Sequence, residues 1–496
     1  MLKRMFAAML ICVLLAAPAF AAGNDARISD DLTETAEIAP DRVMADVLGV
    51  SPEVYETIRA KLYDALWDFE EEVDISEFGI EHGENSEIAI YSMLLGGEPL
   101  FYYLDNYDVF PAENGTVEKV CFYYSIEKGS RRHQYYEETI AAVTAKLLDG
   151  IEGNDALTDL QKAILLHDRL ASYCSFTKSY LLSGTDNSVD HDIIGPFVKR
   201  EAVCQGYAYA YRYLLNRVGI ENYYCLSEEL NHIWNAVYID GIPYYVDVTW
   251  DDSLLNGETY HLDLMCSYDL IGKQGHGDGF ELYEAENHDE YDRAFWRKSI
   301  SQFVLFDGEI YYIDSVDCTL NKWVGDEQIK VTDVPGGWSE RNVGIAWANT
   351  YSVLNTDGDF LYYSTPYTIV RYNPRTGAKR TVYTYEPAGD NEMFYNIYGY
   401  EFDGDYLKID AHNSPIYANF VASGNERSVK FDIPDIAGDA DGDGYVTMKD
   451  LLLIRKGVAG AVELKGKEIF CADVDSNGDL NMKDLLAVRR LIAGAE

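Results

Sequence analysis

The feature that most constrains this chain is a twelve-residue segment that occurs twice near the C-terminus. DADGDGYVTMKD begins at Asp439, and DVDSNGDLNMKD begins 34 residues later at Asp473. In each copy, oxygen-bearing side chains occupy positions 1, 3, 5, 9 and 12, and glycine occupies position 6. Ca²⁺ takes about six to eight oxygen ligands around a tight turn, and this spacing supplies them from one short loop. Two calcium-binding loops are therefore predicted.

The predicted metal ligands follow from the loop positions, and position 7 contributes its backbone carbonyl. With two calcium ions expected, the predicted ligands are Asp439, Asp441, Asp443, Tyr445, Thr447, Asp450, Asp473, Asp475, Asn477, Asp479, Asn481 and Asp484. An acidic, solvated tail is the alternative interpretation, but a tail of that kind needs no glycine at position 6 of both copies. Because the carboxylates repel one another without the cation, we expect folding of this segment to depend on calcium.

Both loops end in aspartate where an ordinary EF-hand loop ends in glutamate, and the entering helix is missing. A similar helix, DLLLIRKGVAG or DLLAVRRLIAG, leaves each loop. With these features, residues 437–496 resemble a type I dockerin. The resemblance implies a small, α-helical, calcium-binding domain that binds a cohesin of a scaffoldin in a cellulosome. Positions 10 and 11 would contact the cohesin, and they are Met448, Lys449, Met482 and Lys483. The two pairs are identical. We therefore hypothesise that the domain can bind a cohesin in two equivalent orientations.

The N-terminus indicates where the chain works. MLKRMFAAMLICVLLAAPAFAAG has two basic residues, an apolar stretch and a small-residue cleavage pattern, so residues 1–21 are predicted to be a secretory signal peptide. No later segment is apolar over about eighteen residues, so no membrane span is expected. The net charge of -44 disfavours nucleic acid and anionic lipid as partners. A secreted, extracellular protein is predicted, held at the cell surface through a cellulosome.

Three further segments precede the C-terminal loops. Residues 40–150 combine amphipathic helical patterns with alternating aromatic strands, which predicts a mixed α/β region. Residues 151–295 carry the candidate chemistry. Residues 296–433 have aromatic strands with recurring Asp-Gly turns, and three such units are too few for a propeller of about four blades. A β-rich accessory domain is therefore predicted. The turns begin at Asp307, Asp357 and Asp403, at intervals of 50 and 46 residues.

Seven cysteines follow residue 21, an odd number without a CxxC pair. This pattern disfavours a zinc ribbon and a complete set of disulfides, so at least one thiol stays reduced. Cys204 is the candidate reactive thiol. The apolar stripe of EAVCQGYAYAYRYLLNRVGI predicts a helix that begins at this cysteine and ends near Gly219. The positive end of a helix dipole stabilises a thiolate.

A candidate base and carboxylate occur in NHIWNAVYIDGIPYYVDVTWDD. If its Asp-Gly pair forms a type I′ turn between two strands, His232 lies opposite Thr249, and Trp234 lies opposite Asp247. His232 and Asp247 are then diagonal neighbours on one face, within reach of a hydrogen bond. The histidines outside this segment show no metal-ligand spacing, so His276 is expected to be an ordinary loop histidine.

Each of these three residues also has a purely structural interpretation. The cysteine could be buried or bridged, the histidine could end a strand, and the aspartate could accept a backbone N–H. Together they supply a nucleophile, a general base and an orienting carboxylate. The combination favours a catalytic role.

Residues 157–265 resemble the transglutaminase-like fold, a papain-related α+β core. VCQGYAYAY resembles its nucleophile helix, HIWNAVYIDG its histidine strand and YYVDVTWDD its aspartate strand. The resemblance implies that Cys204 is the nucleophile, His232 the base and Asp247 the residue that orients the imidazole. It also implies acyl transfer from a carboxamide or peptide through a thioester. A lysine amine would then give a crosslink, and water would give deamidation or proteolysis.

The combined prediction is an α+β chain with a papain-like transglutaminase core, a mixed N-terminal region, a β-rich domain and a dockerin. It would be a secreted, cellulosome-associated cysteine enzyme, either a peptidase or a protein-glutamine acyltransferase. Protein or peptide would be its substrate, and hydrolysis is slightly favoured. The alternative is a non-catalytic binding module of a polysaccharide-degrading complex, built on a degenerate transglutaminase-like scaffold. The intact triad argues against that alternative.

Overall fold

A computed structural model describes most of the chain beyond residue 39. The described residues are 40–95, 98–177, 180, 186–227, 230–252, 259–277, 287–335, 338–340, 345–347, 352–385, 396–404, 406–412, 426–430 and 435–494. The predicted signal peptide lies outside them. Two compact units are present, the first made of residues 1–250 and 263–293, and the second of residues 251–262 and 294–496. Across the described ranges, no helix has both the length and the apolar character needed to cross a bilayer.

The N-terminal part of the first unit packs helices against a small antiparallel sheet of order β1-β3-β2. Its elements are α1 (Pro40–Leu48), α2 (Pro52–Asp68), β1 (Glu72–Asp74), α3 (Glu84–Leu95), β2 (Leu104–Pro111), β3 (Val117–Tyr124) and α4 (Arg131–Leu148). The sequence sets the limits of α2 locally. Ser51 accepts a hydrogen bond from the N–H of Val54, and Pro52 fills the first turn, where no N–H is needed.

The rest of the first unit combines two long helices with a three-stranded antiparallel sheet of order β6-β7-β8. Its elements are α5 (Asp159–Tyr173), β4 (Ser175–Phe176), β5 (Glu201–Ala202), α6 (Cys204–Arg217), β6 (Asn222–Ser227), β7 (His232–Ile239), β8 (Ile242–Val246), α7 (Val248–Asp251) and α8 (Tyr268–Ile271). Thr158 caps α5, as predicted, in a capping box with Gln161.

Buried side chains fix α6 between α5 and the sheet. Tyr211 of α6 donates a hydrogen bond to the carbonyl of Ala163 in α5 at 3.0 Å. Asn235 of β7 donates to the carbonyl of Ala208 in α6 at 3.1 Å. Strand β7 is buried along its whole length, so both of its faces are held by the core. These contacts place the start of β7 beside the start of α6.

The second unit begins with antiparallel sheets. Two sheets have four strands each, β12-β11-β10-β9 and β15-β16-β17-β18, a third has the order β19-β20-β21, and β13 pairs with β14. The strands are β9 (Val304–Phe306), β10 (Glu309–Asp314), β11 (Thr319–Val324), β12 (Glu327–Asp333), β13 (Trp338–Glu340), β14 (Ile345–Trp347), β15 (Leu354–Thr356), β16 (Leu361–Ser364), β17 (Thr368–Tyr372), β18 (Lys379–Thr384), β19 (Asn396–Asp403), β20 (Tyr406–His412) and β21 (Glu426–Lys430). Phe306 pairs with Glu309 around the Asp-Gly turn, which is the hairpin that its sequence predicts.

The second unit ends in three helices, α9 (Met448–Val458), α10 (Gly466–Ala472) and α11 (Met482–Ala493). Both α9 and α11 begin at position 10 of the repeated twelve-residue segment, directly after the N-caps Thr447 and Asn481. In each case the aspartate at loop position 12 closes a capping box with the cap residue. The last loop residue therefore also fixes the start of the helix.

Candidate active site and candidate calcium loops

Cys204 is the first residue of α6, as the sequence predicts. Its thiol is half-buried, and no sulfur among the described residues is bonded to it. Gly206 permits this placement, because a Cβ there would lie 2.6 Å from the carbonyl oxygen of Asp190 and 2.9 Å from Cβ of Ala202. The start of the helix is thereby pressed against neighbouring backbone. A thiol held here is subject to the positive end of the helix dipole.

The hairpin of β7 and β8 has the register that the Asp-Gly turn predicts, with Ile239 paired to Ile242. The predicted pairing of His232 with Thr249 is wrong, because β8 ends at Val246 and residues 248–251 form a helical turn. The cause is local. A carboxylate that begins a turn competes with the strand ladder for backbone N–H groups.

Asp247 is the residue that makes this change of structure. Its Oδ1 accepts hydrogen bonds from the N–H groups of Thr249 at 2.9 Å and Trp250 at 3.3 Å. Its Oδ2 remains available and meets Nε2 of His232 at 2.5 Å. The predicted contact between histidine and aspartate therefore forms, although the aspartate lies just beyond the strand.

The pair of His232 and Asp247 is almost fully buried, with 8% and 1% of their surfaces exposed. Burial alone would lower the pKa of His232, but the charge of Asp247, its hydrogen bond and a further hydrogen bond with Cys204 raise it to about 10. Burial alone would raise the pKa of Asp247, whereas the charge of His232 and hydrogen bonds from two imidazoles hold it well below its ordinary value. The imidazole thus interacts with the carboxylate and with the sulfur.

The second imidazole on Asp247 is that of His276, which the sequence interpretation wrongly treated as an ordinary loop histidine. Its Nε2 lies 2.8 Å from Asp247 Oδ2, and the side chain is fully buried. Gly275 directs the chain here with a φ of 122°, and a Cβ at this glycine would lie 3.3 Å from the Trp250 ring. No local motif marks His276, because 29 residues separate it from Asp247.

Two indole rings enclose the imidazole of His232. Trp234 stacks on it with ring centroids 5.7 Å apart, and Trp250 does so at 5.3 Å. Trp250 also packs against the ring of His276 at 4.1 Å. The stacked rings fix the plane of the imidazole and exclude water from the ion pair, which strengthens its electrostatic interaction.

His232, Asp247 and His276 also satisfy the geometry of a possible divalent-metal site, since their ligand atoms lie within 4.8 Å of one another. The same atoms are, however, already used in hydrogen bonds of 2.5 and 2.8 Å between imidazole and carboxylate. Those bonds satisfy the buried carboxylate without a cation. The arrangement fits an orienting role for Asp247 better than a metal centre.

The first candidate calcium loop has the compact form that its glycine predicts. Gly444 has a φ of 92°, and its N–H donates to Asp439 Oδ2 at 2.9 Å. The carboxylate of Asp450 accepts hydrogen bonds from the N–H groups of Asp441 at 3.1 Å and Thr447 at 2.8 Å. Residues at opposite ends of the loop are thereby brought around one point.

The second loop repeats this geometry. The N–H of Gly478 donates to Asp473 Oδ2 at 2.8 Å, and Asp484 accepts from the N–H of Asn481 at 3.0 Å. Ligand oxygens of Asp473, Asp475 and Asp484 lie within 4.8 Å of one another, as do those of the matching residues in the first loop. At position 9, Thr447 and Asn481 cap the following helices.

The residues present fit a bound calcium ion. Asp439 Oδ1 is buried without a hydrogen-bond partner among the described residues, which leaves an acceptor that a cation would satisfy. Burial, followed by the charge of Asp450, raises the pKa of Asp441 to about 7. Burial also raises the pKa of Asp439. Lys449 lies 4.0 Å from the carboxylate of Asp443, whereas ligand oxygens of Asp439, Asp441 and Asp450 lie within 4.8 Å of one another. Like charges are thus concentrated at the centre of the loop.

Arg371 of β17 and Asn373, just after this strand, hydrogen-bond the first loop. Asn373 donates to the carbonyl of Asp441 at 3.2 Å and to Glu468 Oε1 at 2.8 Å. Arg371 hydrogen-bonds the carbonyl of Gly442. Asp473 and Asp475 of the second loop are more exposed than Asp439 and Asp441 of the first loop. The two loops are therefore alike in geometry but differ in their access to water.

Comparison with known proteins agrees with the C-terminal geometry. Residues 437–493 match the family model of the dockerin type I domain. No match was found among curated proteins. A crystal structure described as that of a TGase is similar over 29% of this chain and 44% of that chain, with 12% identity and a TM-score of 0.21, so the match spans less than half of that protein. The C-terminal segment of this chain is a dockerin type I domain.

Proposed function

We propose that residues 151–295 form a transglutaminase-like cysteine enzyme that cleaves or transfers amide groups of proteins or peptides through a thioester. Cys204 is the nucleophile, His232 the general base and Asp247 the residue that orients the imidazole. One observation carries the proposal. A buried imidazole, bonded to a carboxylate at 2.5 Å, also hydrogen-bonds a thiol at the start of a helix.

The reaction follows from these positions. The Cys204 thiolate attacks the amide carbonyl carbon, and the carbonyl electron pair moves to oxygen. The intermediate collapses to a thioester, and the departing amine takes a proton from the His232 imidazolium. Water or a second amine then attacks the thioester and gives a proton back to His232, which releases the thiolate. The N–H of Cys204, at the first position of α6, is available to the oxyanion because it lies in the unpaired first turn.

Asp247 and His276 act on the imidazole without touching the substrate. Asp247 holds the ring so that one nitrogen faces the sulfur, and it stabilises the imidazolium. His276 supplies a second hydrogen bond to the same carboxylate oxygen. We favour water slightly over an amine as the second nucleophile. A peptidase or deamidase activity is therefore preferred to a crosslinking activity.

The dockerin supplies the location. Dockerins of type I are calcium-binding modules, and such a domain implies attachment to a cohesin in a cellulosome. We assign one calcium ion to each loop and the cohesin contact to Met448, Lys449, Met482 and Lys483. Met448 and Met482 support this assignment, because 64% and 65% of their surfaces are exposed although both are apolar. The signal-like N-terminus is consistent with export to the site of assembly.

The test of the proposed activity uses a fluorescently labelled casein, with and without a labelled amine acceptor. The full chain is expected to release peptide or to incorporate the amine, and Cys204→Ser is expected to do neither. Cys121→Ser is the matched control, because this cysteine lies in β3 and has no place in the mechanism. Equal turnover in the wild-type chain and Cys204→Ser would exclude the proposed enzyme and favour a binding scaffold.

A further inference from the structure

A cavity of about 470 Å³ opens in the first unit. Its walls come from the N-terminal part of the unit and from the first turns of α6. Five aromatic side chains contribute to these walls, namely Tyr91, Phe101, Tyr102, Tyr136 and Tyr209. A cavity of this size is sufficient for one side chain of a bound peptide.

The cavity adjoins the candidate nucleophile. Gln205, the residue after Cys204, lines it and donates a hydrogen bond to the hydroxyl of Tyr209 at 3.0 Å. Cys204 packs against the apolar cluster that contains Tyr91 and Tyr209. The cluster that packs against Cys204 therefore also contributes two rings to the wall of the cavity.

Hydrogen-bond acceptors are concentrated in this cavity. The hydroxyl of Tyr102 and Nδ1 of His191 are buried, and neither has a partner within the described part of the chain. The carboxyl groups of Glu98 and Asp192 also line the cavity. Burial raises the pKa of Asp192 to about 7 and that of Glu98 above its usual value. The charges of Arg212, near Glu98, and Lys199, near Asp192, offset this effect only in part, since both pKa values remain raised. A cationic ligand would compensate the remaining desolvation.

We propose that this cavity is a subsite for a basic side chain, lysine or arginine, of the peptide whose carbonyl Cys204 attacks. The proposal rests on the proposed function, since it assigns a preference to that peptide. The aliphatic stem of such a side chain packs on the aromatic walls, and its charged N–H groups donate to Glu98 and Asp192. The ring faces add a cation–π attraction.

The charge balance of the walls agrees with a cationic ligand. Three carboxyl groups line the cavity, those of Glu98, Asp105 and Asp192, against one guanidinium, that of Arg132. Arg132 is an exposed residue and extends from the solvent side. An acidic ligand side chain would be repelled by the carboxyl groups inside the cavity, where little water screens the charges. An apolar ligand side chain would leave the polar groups of the cavity without hydrogen-bond partners.

The binding test separates this subsite from catalysis. The acetylated, amidated forms of lysine, arginine, norleucine and glutamate are titrated by calorimetry into full-length Cys204→Ala, which does not react. The lysine or arginine probe is expected to bind at least about tenfold more tightly than norleucine, the isostere without charge. Asp192→Asn and Glu98→Gln should each reduce that preference about tenfold, whereas Glu138→Gln, an exposed acidic residue of α4 outside the cavity, should not change it.

A second readout places the ligand beside the thiol. In the wild-type chain, the basic probe is expected to slow alkylation of Cys204 by iodoacetamide several-fold, and norleucine at the same concentration is not. Equal affinity for the basic and neutral probes, or a preference unchanged in Asp192→Asn and Glu98→Gln, would overturn the subsite. Slow alkylation of Cys204 without any probe would instead contradict the proposed nucleophile, so the two failures are distinguishable.

Discussion

Two regions of this chain contain buried carboxylates, and the surroundings of these carboxylates shift the pKa in opposite directions. Asp247 lies between two imidazoles at 2.5 and 2.8 Å, and its pKa is held below its ordinary value. In the first dockerin loop, Asp441 lies beside other carboxylates, and its pKa is raised to about 7. The protein itself supplies the counter-charges in the first region, whereas the second region depends on a cation from solution.

This difference separates the two regions functionally. A carboxylate compensated by side chains can orient an imidazole whether or not calcium is present. A cluster of carboxylates that side chains compensate only in part is expected to fold around its ion, so its structure follows the calcium concentration. Assembly is therefore expected to depend on calcium, and the chemistry at Cys204 is not.

Removal of calcium gives the largest expected effect. With excess chelator, the dockerin should unfold and binding to a cohesin should be lost completely, because the loop carboxylates repel one another. Over the same calcium range, the rate of Cys204 alkylation should change less than about twofold. Calorimetry with a cohesin and mass spectrometry of the alkylated chain measure the two properties in one preparation. Loss of cohesin binding and of Cys204 reactivity over the same calcium range would contradict the functional separation of the two regions.

Substitution of the base gives the next largest effect. His232→Ala should lower turnover of the casein substrate by about 10² to 10⁴-fold, the usual contribution of a general acid and base. His288→Ala is the matched control, since His288 lies in the same unit and, among the described residues, its ion pair is with Glu290 at 3.7 Å. Calcium-dependent cohesin binding should be the same in both variants. A similar loss of turnover in the two variants would remove His232 from the mechanism.

His276 is expected to have a smaller effect, because it acts through Asp247. A hydrogen bond to a charged group contributes about 1.5 to 3 kcal/mol, so His276→Ala should lower kcat by roughly tenfold or more with little change in KM. His276→Gln keeps a donor and should recover most of the rate. The pH profile adds a readout that a merely structural role would leave unchanged, since loss of this bond alters the ionisation of His232. If His276→Gln is no more active than His276→Ala, the proposed positioning role of His276 is wrong.

The calcium loops and the cap of α5 could be predicted from sequence because each is determined by neighbouring residues. Position 6 of the loop needs glycine, and Thr158 with Gln161 forms a capping box within four residues. The bond between His232 and Asp247 was predicted from hairpin register, although β8 ends one residue before the aspartate. Counting residues outward from the Asp-Gly turn predicts the contact between the two side chains. It does not predict the helical turn after β8 in which Asp247 makes that contact.

His276 could not be predicted, because tertiary packing alone brings it to Asp247. The segment between them includes residues outside the described ranges, and its pattern contains no motif that ties the two together. The cavity beside Cys204 could not be predicted from the sequence either, since Glu98 and Asp192 line one cavity only after the N-terminal part packs on α6. Distant contacts of this kind depend on the folded core.

The smallest expected effect is a pH dependence of stability. A pKa of His232 raised to about 10 in the folded chain, against about 6.5 when unfolded, contributes stability that is complete below pH 6.5. That stability is lost as the pH rises towards 10. The thermal midpoint of the first unit, measured by calorimetry in saturating calcium, should therefore fall by a few degrees across this range. His232→Gln should flatten the slope, and an unchanged slope would contradict the assigned pKa.

The most direct test of the central claim is the reactivity of one sulfur. Near neutral pH, a limiting amount of iodoacetamide is added to the full chain in calcium, and each cysteine peptide is quantified by mass spectrometry. Cys204 should react at least about tenfold faster than Cys121 or Cys318, the other two half-buried cysteines, and this advantage should disappear in His232→Ala. Equal rates at the three sites, or an advantage that persists without His232, would contradict the account.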